Sequence, residues 1–395
     1  MITVHEAKAL IAQNVKPLGF VQLPLQQALG KALAEDVFAM VDIPAFPQSA
    51  MDGYAFCFDG WKAERKLNVI GAVPAGDANE RTLKLNEAVR IFTGAPVPDG
   101  ADTVVMQENV KTEGGYLIIG DDKLQFSGNV RPKGSEIKKG ALALPANTVL
   151  NAGAVGFLAG LGISVVKVYR FPVVSIIITG NELQQPGHPL SYGQVYESNS
   201  YGLVAALERV GITDIKVFMS GDYLDELSAK IQLALQISDI VLLTGGVSVG
   251  DYDFVIKASE ICYVEKVFHK IKQRPGKPLF FGKKEDKVIF GLPGNPSSVL
   301  TCFYMYVLPA LSKLSNKSFE LKQVICPLKG NHVKHHQLVH FLKAYYDGET
   351  VEVLEAQESY RLRSFAYANC LVELDTNAKT YLAGELVKTH LLLQY

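Results

Sequence analysis

The sequence lacks an excess of charge of either sign and lacks a cysteine framework. Its 395 residues carry 39 Lys plus Arg against 40 Asp plus Glu, which gives a net charge of -1. No global field therefore draws the chain to nucleic acid or to an anionic membrane, and any anion site must be local. The five cysteines are scattered without a CxxC pair, which argues against disulfides or a zinc knuckle. We expect free core thiols and a cytoplasmic protein.

The sequence also lacks an apolar segment suited to a membrane. Residues 141–166 and 290–312 are uncharged and long enough to span a bilayer, but prolines, asparagines and glycines interrupt them. Buried loops and a core helix explain these runs better. The first 14 residues have no signal-peptide core, and Thr3 with Glu6 instead predicts a helix capping box.

The most informative segment is residues 238–254, SDIVLLTGGVSVGDYDF. Its branched apolar run predicts a buried strand over residues 240–243 that enters a sharp turn at Gly245 and Gly246. Such a turn exposes backbone amides to phosphate oxygens, and Ser248 adds a hydroxyl. Asp253 stands before the next predicted helix, where an acid is either an N-cap or a magnesium ligand. Both interpretations stay open at this point.

The length indicates two to four domains, and the pattern of elements changes along the chain. Short apolar segments with turn residues indicate β structure over residues 54–139 and again after residue 316, whereas strands and helices alternate over residues 171–311. We expect an α/β fold whose main domain is a doubly wound, mostly parallel sheet. The expected domains are an N-terminal helical and linker domain (1–48 and 140–170), an inserted β-rich domain (49–139), the doubly wound domain (171–315) and a C-terminal β domain (316–395).

Ligands of doubly wound sheets bind beyond the carboxyl ends of the strands. The loops predicted at that edge supply acids, a hydroxyl and bases: Glu182, Asp222, Asp253, Ser248, Lys270, Arg274 and Lys277. Any one of these charges has a simpler explanation as a solvated loop end, and Asp222 is also expected to cap the helix over residues 224–237. Together they indicate a magnesium-bound phosphate ester or phosphoanhydride. His332, His335, His336 and His340 are rejected as a metal site, because their surroundings look strand-like and no acid or cysteine lies among them.

Six motifs in this order resemble the molybdopterin molybdenumtransferase family, which includes the gephyrin E domain. They are SAMDGYA (49–55), IFTGAPVPDGADTVVMQE (91–108), TGNEL (179–183), TGGVSVGDYDF (244–254), RPGKP (274–278) and GLPGNP (291–296). The resemblance implies an enzyme that inserts molybdenum from molybdate into the dithiolene of adenylylated molybdopterin and releases AMP, with Mg²⁺ present. It also implies a homodimer with the site shared across subunits. The adenylyltransferase and acceptor molybdoenzymes are the expected protein partners, and we expect no binding to nucleic acid or to a membrane.

The resemblance also implies roles for individual residues. Catalytic roles fall on Asp52, Thr93, Glu182, Asp222 and Asp253, of which Glu182, Asp222 and Asp253 are also the metal ligands. Pterin, adenylate and phosphate contacts fall on Gly245, Gly246, Ser248, Asp253, Pro293 and Asn295, and molybdate contacts on Arg274, Lys277, Pro278, Lys343 and Ser359. The chain departs from the family at three positions. Arg274 stands where the family often has Lys, and Asn181 stands where it usually has Asp. Lys343 stands where Arg is expected, and its point charge lacks the fork geometry of a guanidinium group.

Three other functions compete with this interpretation. A molybdopterin adenylyltransferase resembles the same doubly wound domain but lacks the flanking domains, and SAMDGYA and residues 91–108 lie outside that domain. A dimeric scaffold resembling the receptor-clustering gephyrin E domain would carry a long linker and a partner domain. A generic α/β phosphohydrolase is the third. The flanking motifs favour the transferase.

Overall fold

The computed structural model describes residues 1–76, 79–246 and 254–392. The chain forms two compact units. The larger unit comprises Met1–Val21, Gly30–Ala32 and Val168–Tyr395, and the smaller unit comprises Gln22–Leu29 and Leu33–Lys167. Within the described ranges, no helix has the length and apolar content needed to cross a membrane.

The strands and helices follow in chain order. The strands are β1 (Phe20–Pro24), β2 (Val37–Phe38), β3 (Gln48–Ser49), β4 (Gly53–Phe56), β5 (Leu67–Val73), β6 (Glu87–Ile91), β7 (Thr103–Met106), β8 (Val110–Glu113), β9 (Tyr116–Ile119), β10 (Val130–Arg131), β11 (Leu142–Leu144), β12 (Val165–Tyr169), β13 (Val174–Thr179), β14 (Leu183–Gln184), β15 (Val195–Tyr196), β16 (Ile215–Ser220), β17 (Ile240–Thr244), β18 (Glu265–His269), β19 (Gln273–Arg274), β20 (Phe280–Lys284), β21 (Lys287–Leu292), β22 (Gln323–Pro327), β23 (His332–Val333), β24 (Val339–Tyr346), β25 (Val351–Val353), β26 (Cys370–Leu374), β27 (Thr380–Tyr381) and β28 (Leu386–Leu391). The α-helices are α1 (Val4–Asn14), α2 (Phe58–Glu64), α3 (Ala152–Gly160), α4 (Asn199–Arg209), α5 (Leu224–Ile237), α6 (Phe254–Ile261), α7 (Pro296–Cys302) and α8 (Leu308–Leu314). A π-helical turn, Phe303–Val307, joins α7 to α8, and short 3-10 turns span Leu25–Gln27, Gln107–Asn109 and Arg363–Ala366.

Helix α1 begins at the predicted capping box. The Glu6 amide donates to Thr3 Oγ1 at 3.2 Å, and the Thr3 amide donates to Glu6 Oε2 at 2.7 Å. Val4, Ala7 and Ile11 recur at helical spacing, and all three are buried. They pack into the same core as residues of α8, which attaches the N-terminal helix to the larger unit.

A six-stranded sheet organises the larger unit. Its strand order is β16-β13-β17-β21-β20-β18, with parallel pairing from β16 to β21 and antiparallel pairing at β20 and β18. Alternate residues of β13 enter different cores: Ile176 and Ile178 pack with α4 on one face, and Ile177 packs with α5 and α6 on the other. Both faces are therefore covered by helices, and the expected doubly wound α/β fold is confirmed.

A second six-stranded sheet lies in the C-terminal part of the larger unit. Its order is β19-β24-β26-β28-β22, with β25 paired to β24. The predicted strands over residues 339–345, 351–354, 370–374 and 386–392 are confirmed to within one residue. Strand β19 carries Gln273 and Arg274 from the middle of the chain and pairs in parallel with β24. The RPGKP segment is thus joined directly to the C-terminal sheet.

The smaller unit contains a sheet of order β7-β4-β6-β5-β9-β8. The predicted strands over residues 103–106 and 116–119 are confirmed. The expectation of helical structure over residues 141–170 is wrong in extent. Only α3 is helical there, capped by Asn151, whose Oδ1 accepts from the Ala154 amide at 2.8 Å, and strands β11 and β12 flank it. The β-branched residues Val165, Val166 and Val168 favour a strand over a helix near the end of residues 141–170.

Candidate active site

A cleft of about 990 Å³ lies in the larger unit, beyond the carboxyl ends of β13 and β17. It brings together ten of the residues that the sequence assigns to the site: Glu182, Asp222, Gly245, Gly246, Arg274, Lys277, Pro278, Pro293, Asn295 and Ser359. Segments after five strands of the doubly wound sheet, β13, β16, β17, β18 and β21, supply nine of them, and a loop of the C-terminal sheet supplies Ser359. The carboxyl-end rule therefore located most of this group correctly.

The floor of the cleft is a close approach of two strand ends. Gly245, directly after β17, has φ +87°, a left-handed conformation. A Cβ built on it would lie 2.7 Å from both the carbonyl oxygen and the hydroxyl of Thr179, at the end of β13. A larger residue would push these strand ends apart, so glycine is required by backbone conformation and by space.

Two carboxylates line one side of the cleft. Glu182 follows β13, and Asp222 follows β16, which pairs in parallel with β13 up to Thr179 and Ser220. The Asp222 amide donates to Asn181 Oδ1 at 3.3 Å. Neither carboxylate makes a hydrogen bond or an ion pair to the part of the chain that the structure describes. Both are therefore available as oxygen ligands for a cation.

The expectation that Asp222 caps α5 is wrong. The N-cap residue of that helix is Tyr223, and no side chain caps it. Asp222 lies one residue earlier, in the loop that lines the cleft. Among the described residues no group of three His, Cys, Asp or Glu side chains is arranged to hold a metal ion, so a cation here would take further ligands from substrate or solvent.

The opposite side of the cleft carries the two bases of RPGKP. Gln273, fully buried, donates through Nε2 to the carbonyls of Pro275 at 3.0 Å and Gly276 at 3.3 Å, and its Oε1 accepts from the Tyr306 hydroxyl. This support holds the loop so that Arg274 and Lys277 stay exposed at the cleft. Neither has an acidic partner in the described ranges. Lys270, the third predicted base, does not line the cleft.

The turn GLPGNP meets the loop AQES at one corner of the cleft. Asn295 Nδ2 donates to Ser359 Oγ at 2.8 Å, and the Ser297 amide donates to the Ser359 carbonyl at 3.1 Å. Pro296 begins α7, where its missing amide costs no helical hydrogen bond. Two predicted residues from distant parts of the chain are thus in direct contact.

Lys343 is not among the residues that line the cleft. It lies in β24 and is 2% exposed, and its Nζ donates to the carbonyls of Ala356 at 2.7 Å and Arg361 at 2.8 Å. Burial lowers the pKa of its ammonium to about 8. The structure therefore places the Lys343 ammonium behind the loop that presents Ser359.

Asp52 and Thr93 lie in the smaller unit and contact each other. The Thr93 amide and hydroxyl donate to the same oxygen, Asp52 Oδ1, at 2.7 and 2.8 Å. The backbone hydrogen bond first, and then the side-chain one, lower the pKa of the Asp52 carboxyl. SAMDGYA and the 91–108 segment, which the sequence identified separately, therefore form one carboxylate site.

Two predicted site residues, Ser248 and Asp253, lie outside the described residues. Other residues line the cleft although the sequence analysis missed them: Gln273, Glu197, Asn199, Gln357, Glu358 and Tyr360. The last three flank Ser359, and Gln273 precedes RPGKP, so extending each motif by one or two residues would have found them. Glu197 and Asn199 belong to no motif, and only the fold brings them to the cleft.

Comparison with known proteins covers both units. Three family models match: MoeA N-terminal region (domain I and II) over residues 2–162, probable molybdopterin binding domain over residues 175–313, and MoeA C-terminal region (domain IV) over residues 327–392. A solved molybdopterin biosynthesis MoeA protein from Pyrococcus horikoshii OT3 superposes with a TM-score of 0.80 at 29% identity, covering 99% of this chain and 100% of that one.

Two curated relatives of similar length share a name. The molybdopterin molybdenumtransferase of Haemophilus influenzae is 33% identical over 401 residues, which covers 98% of each chain. The protein of the same name from Staphylococcus epidermidis is 32% identical over 398 residues, covering 98% of this chain and 94% of its own. The resemblance seen in the six motifs is therefore confirmed, and this chain belongs to the molybdopterin molybdenumtransferase family.

Proposed function

We propose that this protein is a molybdopterin molybdenumtransferase, which inserts molybdenum from molybdate into the dithiolene of adenylylated molybdopterin and releases AMP and molybdenum cofactor. The observation that carries the proposal is the division of the cleft. Two carboxylates without partners in the described ranges, Glu182 and Asp222, lie on one side, and two bases, Arg274 and Lys277, lie on the other. This arrangement of acids and bases suits two anionic substrates, one of which contains a phosphoanhydride.

Arg274 and Lys277 receive molybdate in this proposal, with Pro278 and Ser359 beside them. Molybdate is a dianion that must approach an anionic pterin. Cations held in a partly desolvated cleft lower the electrostatic barrier to that approach. The turn at Gly245 and Gly246, with Pro293, Asn295 and the undescribed Ser248, takes the pterin phosphate and adenylate, because backbone amides and an amide side chain suit phosphate oxygens.

The acids of the cleft suit a magnesium ion. Magnesium takes one or two carboxylates together with phosphate oxygens and waters, and Glu182 and Asp222 offer carboxylates without other partners in the described ranges. We propose Asp222, Glu182 and the undescribed Asp253 as its ligands. When bound, the metal stabilises the negative charge that develops as AMP leaves. Glu182 has a second proposed role as general base, taking a proton from the attacking oxygen.

Asp52 and Thr93 complete the proposed site from the partner subunit of a homodimer. The Asp52 carboxylate is held in one orientation by two donors from Thr93, which also lower its pKa, so it stays ionised to a lower pH than an ordinary aspartate does. The smaller unit also exposes apolar side chains, among them Phe38 at 52% and Met40 at 64%. We propose that these side chains are buried against the second copy. We further propose a cytoplasmic location, with the adenylyltransferase and acceptor molybdoenzymes as transient partners.

AMP release tests the proposal directly. The purified protein is incubated with adenylylated molybdopterin and Mg²⁺, with and without molybdate, and AMP and molybdenum cofactor are measured. We expect AMP release that depends on molybdate and is accompanied by cofactor formation. Synthesis of adenylylated molybdopterin from ATP would indicate an adenylyltransferase, and hydrolysis that ignores molybdate would indicate a phosphohydrolase. Binding without turnover would indicate a scaffold.

A further inference from the structure

Lys343 contacts both ends of one cleft-lining segment. Its Nζ donates to the carbonyl of Ala356 at 2.7 Å and to the carbonyl of Arg361 at 2.8 Å. Gln357, Glu358, Ser359 and Tyr360, the four residues between these carbonyls, all line the cleft. One buried ammonium thus contacts the residue before and the residue after this segment, residues 357–360.

Further hydrogen bonds fasten the same segment to β24. Gln357 accepts from the Lys343 amide at 3.0 Å and donates to the Lys343 carbonyl at 2.7 Å, and Ser364 Oγ donates to the Ala356 carbonyl at 2.9 Å. Ala356 has φ +58°, a left-handed conformation that costs free energy for a residue with a Cβ. Such a conformation persists only where surrounding contacts enforce it, and the donors from Lys343 and Ser364 both act on this residue.

The segment is fixed on its cleft side as well. Ser359 accepts from Asn295 Nδ2 through its hydroxyl and from the Ser297 amide through its carbonyl. The segment is therefore held by the GLPGNP turn on its cleft side and by Lys343 at residues 356 and 361.

We propose that Lys343 is a positioning residue, which clamps residues 357–360 and thereby places Ser359 at the cleft. Lys343 itself does not contact the anion that binds there. The identification of that anion as molybdate rests on the proposed function. To reach a ligand in the cleft, the Lys343 Nζ would have to give up its hydrogen bonds to the Ala356 and Arg361 carbonyls. A buried carbonyl without a donor destabilises the folded state. A lysine suits this clamp because one nitrogen carries three donors that rotate to meet two carbonyls.

Hydrogen exchange of the protein without substrates tests the clamp alone. In Lys343→Met, which keeps the length of the side chain and removes its donors, we expect amide exchange within residues 355–361, measured at Arg361, whose amide donates to the Glu358 carbonyl at 3.0 Å, to become roughly tenfold faster or more. The matched control is Lys329→Met, because Lys329 is half-exposed and its Nζ is 2.8 Å from Glu352 in the same part of the chain. The control should exchange like the parent over residues 355–361. Parent-like exchange in Lys343→Met would overturn the proposal.

Kinetics then separate positioning from direct binding. Lys343→Met and Ser359→Ala should each raise the KM for molybdate about tenfold. The KM of the double variant should lie within about twofold of the higher of the two single-variant KM values, because both changes act through one segment. A KM raised about a hundredfold in the double variant would show two independent contacts and overturn the proposal. A parent without molybdate-dependent turnover would refute the proposed function, while the exchange result would still decide whether Lys343 clamps the segment.

Ser364→Ala serves as a second variant if Lys343→Met does not fold. It removes a different donor to the Ala356 carbonyl and leaves every charge in place. We expect a smaller change in the same direction, with exchange over residues 355–361 and the KM for molybdate each raised about threefold. If neither quantity changes in Ser364→Ala while a melt shows that it is folded, the segment is not held through Ala356 and the proposal fails.

Discussion

Asp222 is a short acidic residue that neither caps the following helix nor pairs with a base in the described ranges. If it holds magnesium, Asp222→Asn should keep the fold and the binding of adenylylated molybdopterin but lose magnesium-dependent AMP release by about two orders of magnitude or more, since the metal contributes several kcal/mol in the transition state. AMP is measured at limiting magnesium beside a thermal melt.

The matched control for Asp222 is Asp214→Asn. Asp214 precedes β16, whereas Asp222 follows it, and Asp214 pairs with Lys216 at 2.9 Å on an exposed surface. The control should turn over like the parent. Equal activity of Asp222→Asn and the control at limiting magnesium would move the metal site away from Asp222.

Thr93 lowers the pKa of the Asp52 carboxyl through two donors, of which its side chain supplies one. Thr93→Ala removes the hydroxyl and keeps the backbone donor, so the pKa of Asp52 should rise toward its ordinary value but not reach it. An NMR titration of the Asp52 carboxyl measures this change. Thr112→Ala, at an exposed position of β8, is the control and should leave the Asp52 titration unchanged. An unchanged titration in Thr93→Ala would show that the backbone donor suffices.

The conformation of the RPGKP loop depends on Gly276. Its φ is +84°, and a Cβ there would lie 2.5 Å from Cys302 Sγ and 2.9 Å from Gln273 Nε2, both of them buried. Gly276→Ala should therefore destabilise the larger unit by about 1 to 3 kcal/mol. Gly330→Ala is the control, because nothing lies within 4 Å of its Cβ position. Melting temperatures compare the two, and equal values would show that the loop relaxes without cost.

The partly buried imidazole of His340 in β24 should make the free energy of unfolding depend on pH. Burial first, and then the charges of His336, Arg274, His332 and Lys334, lower the pKa of His340 to about 3. The unfolded chain binds a proton at His340 near pH 6.5 and the folded protein does not, so stability is lost as the pH falls from about 6.5 toward 3.

Replacing His340 should weaken that dependence on pH. Between pH 7 and pH 5, the melting temperature should fall less in His340→Leu than in the parent, because the variant has no such proton to exclude. His188→Leu, at an exposed position, should fall like the parent. If His340→Leu and the parent lose the same number of degrees, the histidine is accessible to protons in the folded protein.

The elements that the sequence predicted well are those determined by local pattern. The α5 helix and strand β17 were located to within one residue, because a polar boundary and a periodic or continuous apolar run mark each of them. The role of Lys343 was not predictable, since its partners Ala356 and Arg361 come from a loop whose path only the folded sheet determines. Asp222 was misassigned because an acid before a helix looks like a cap whether or not it accepts an amide.

A site shared between two subunits would let mixed dimers regain activity. Asp52→Asn and Asp222→Asn should each be inactive alone. When both chains are coexpressed, half of the dimers should be mixed, and each mixed dimer should contain one site with both native acids. About a quarter of the parent activity should therefore return if the site spans two subunits. Sedimentation should show a dimer at micromolar concentration. A stable active monomer, or a mixture without activity, would contradict the shared site.

The attachment of α1 also sets an order of events during synthesis. The Ile2 amide donates to the carbonyl of Lys270, and the apolar face of α1 packs in the core that contains α8. A ribosome adds roughly 5 to 20 residues per second, so Lys270 and α8 emerge on the order of 10 to 60 s after α1. The smaller unit, whose residues end at Lys167, is fully synthesised within that interval. The apolar face of α1 can therefore be buried in this core only after the whole of the smaller unit has been synthesised.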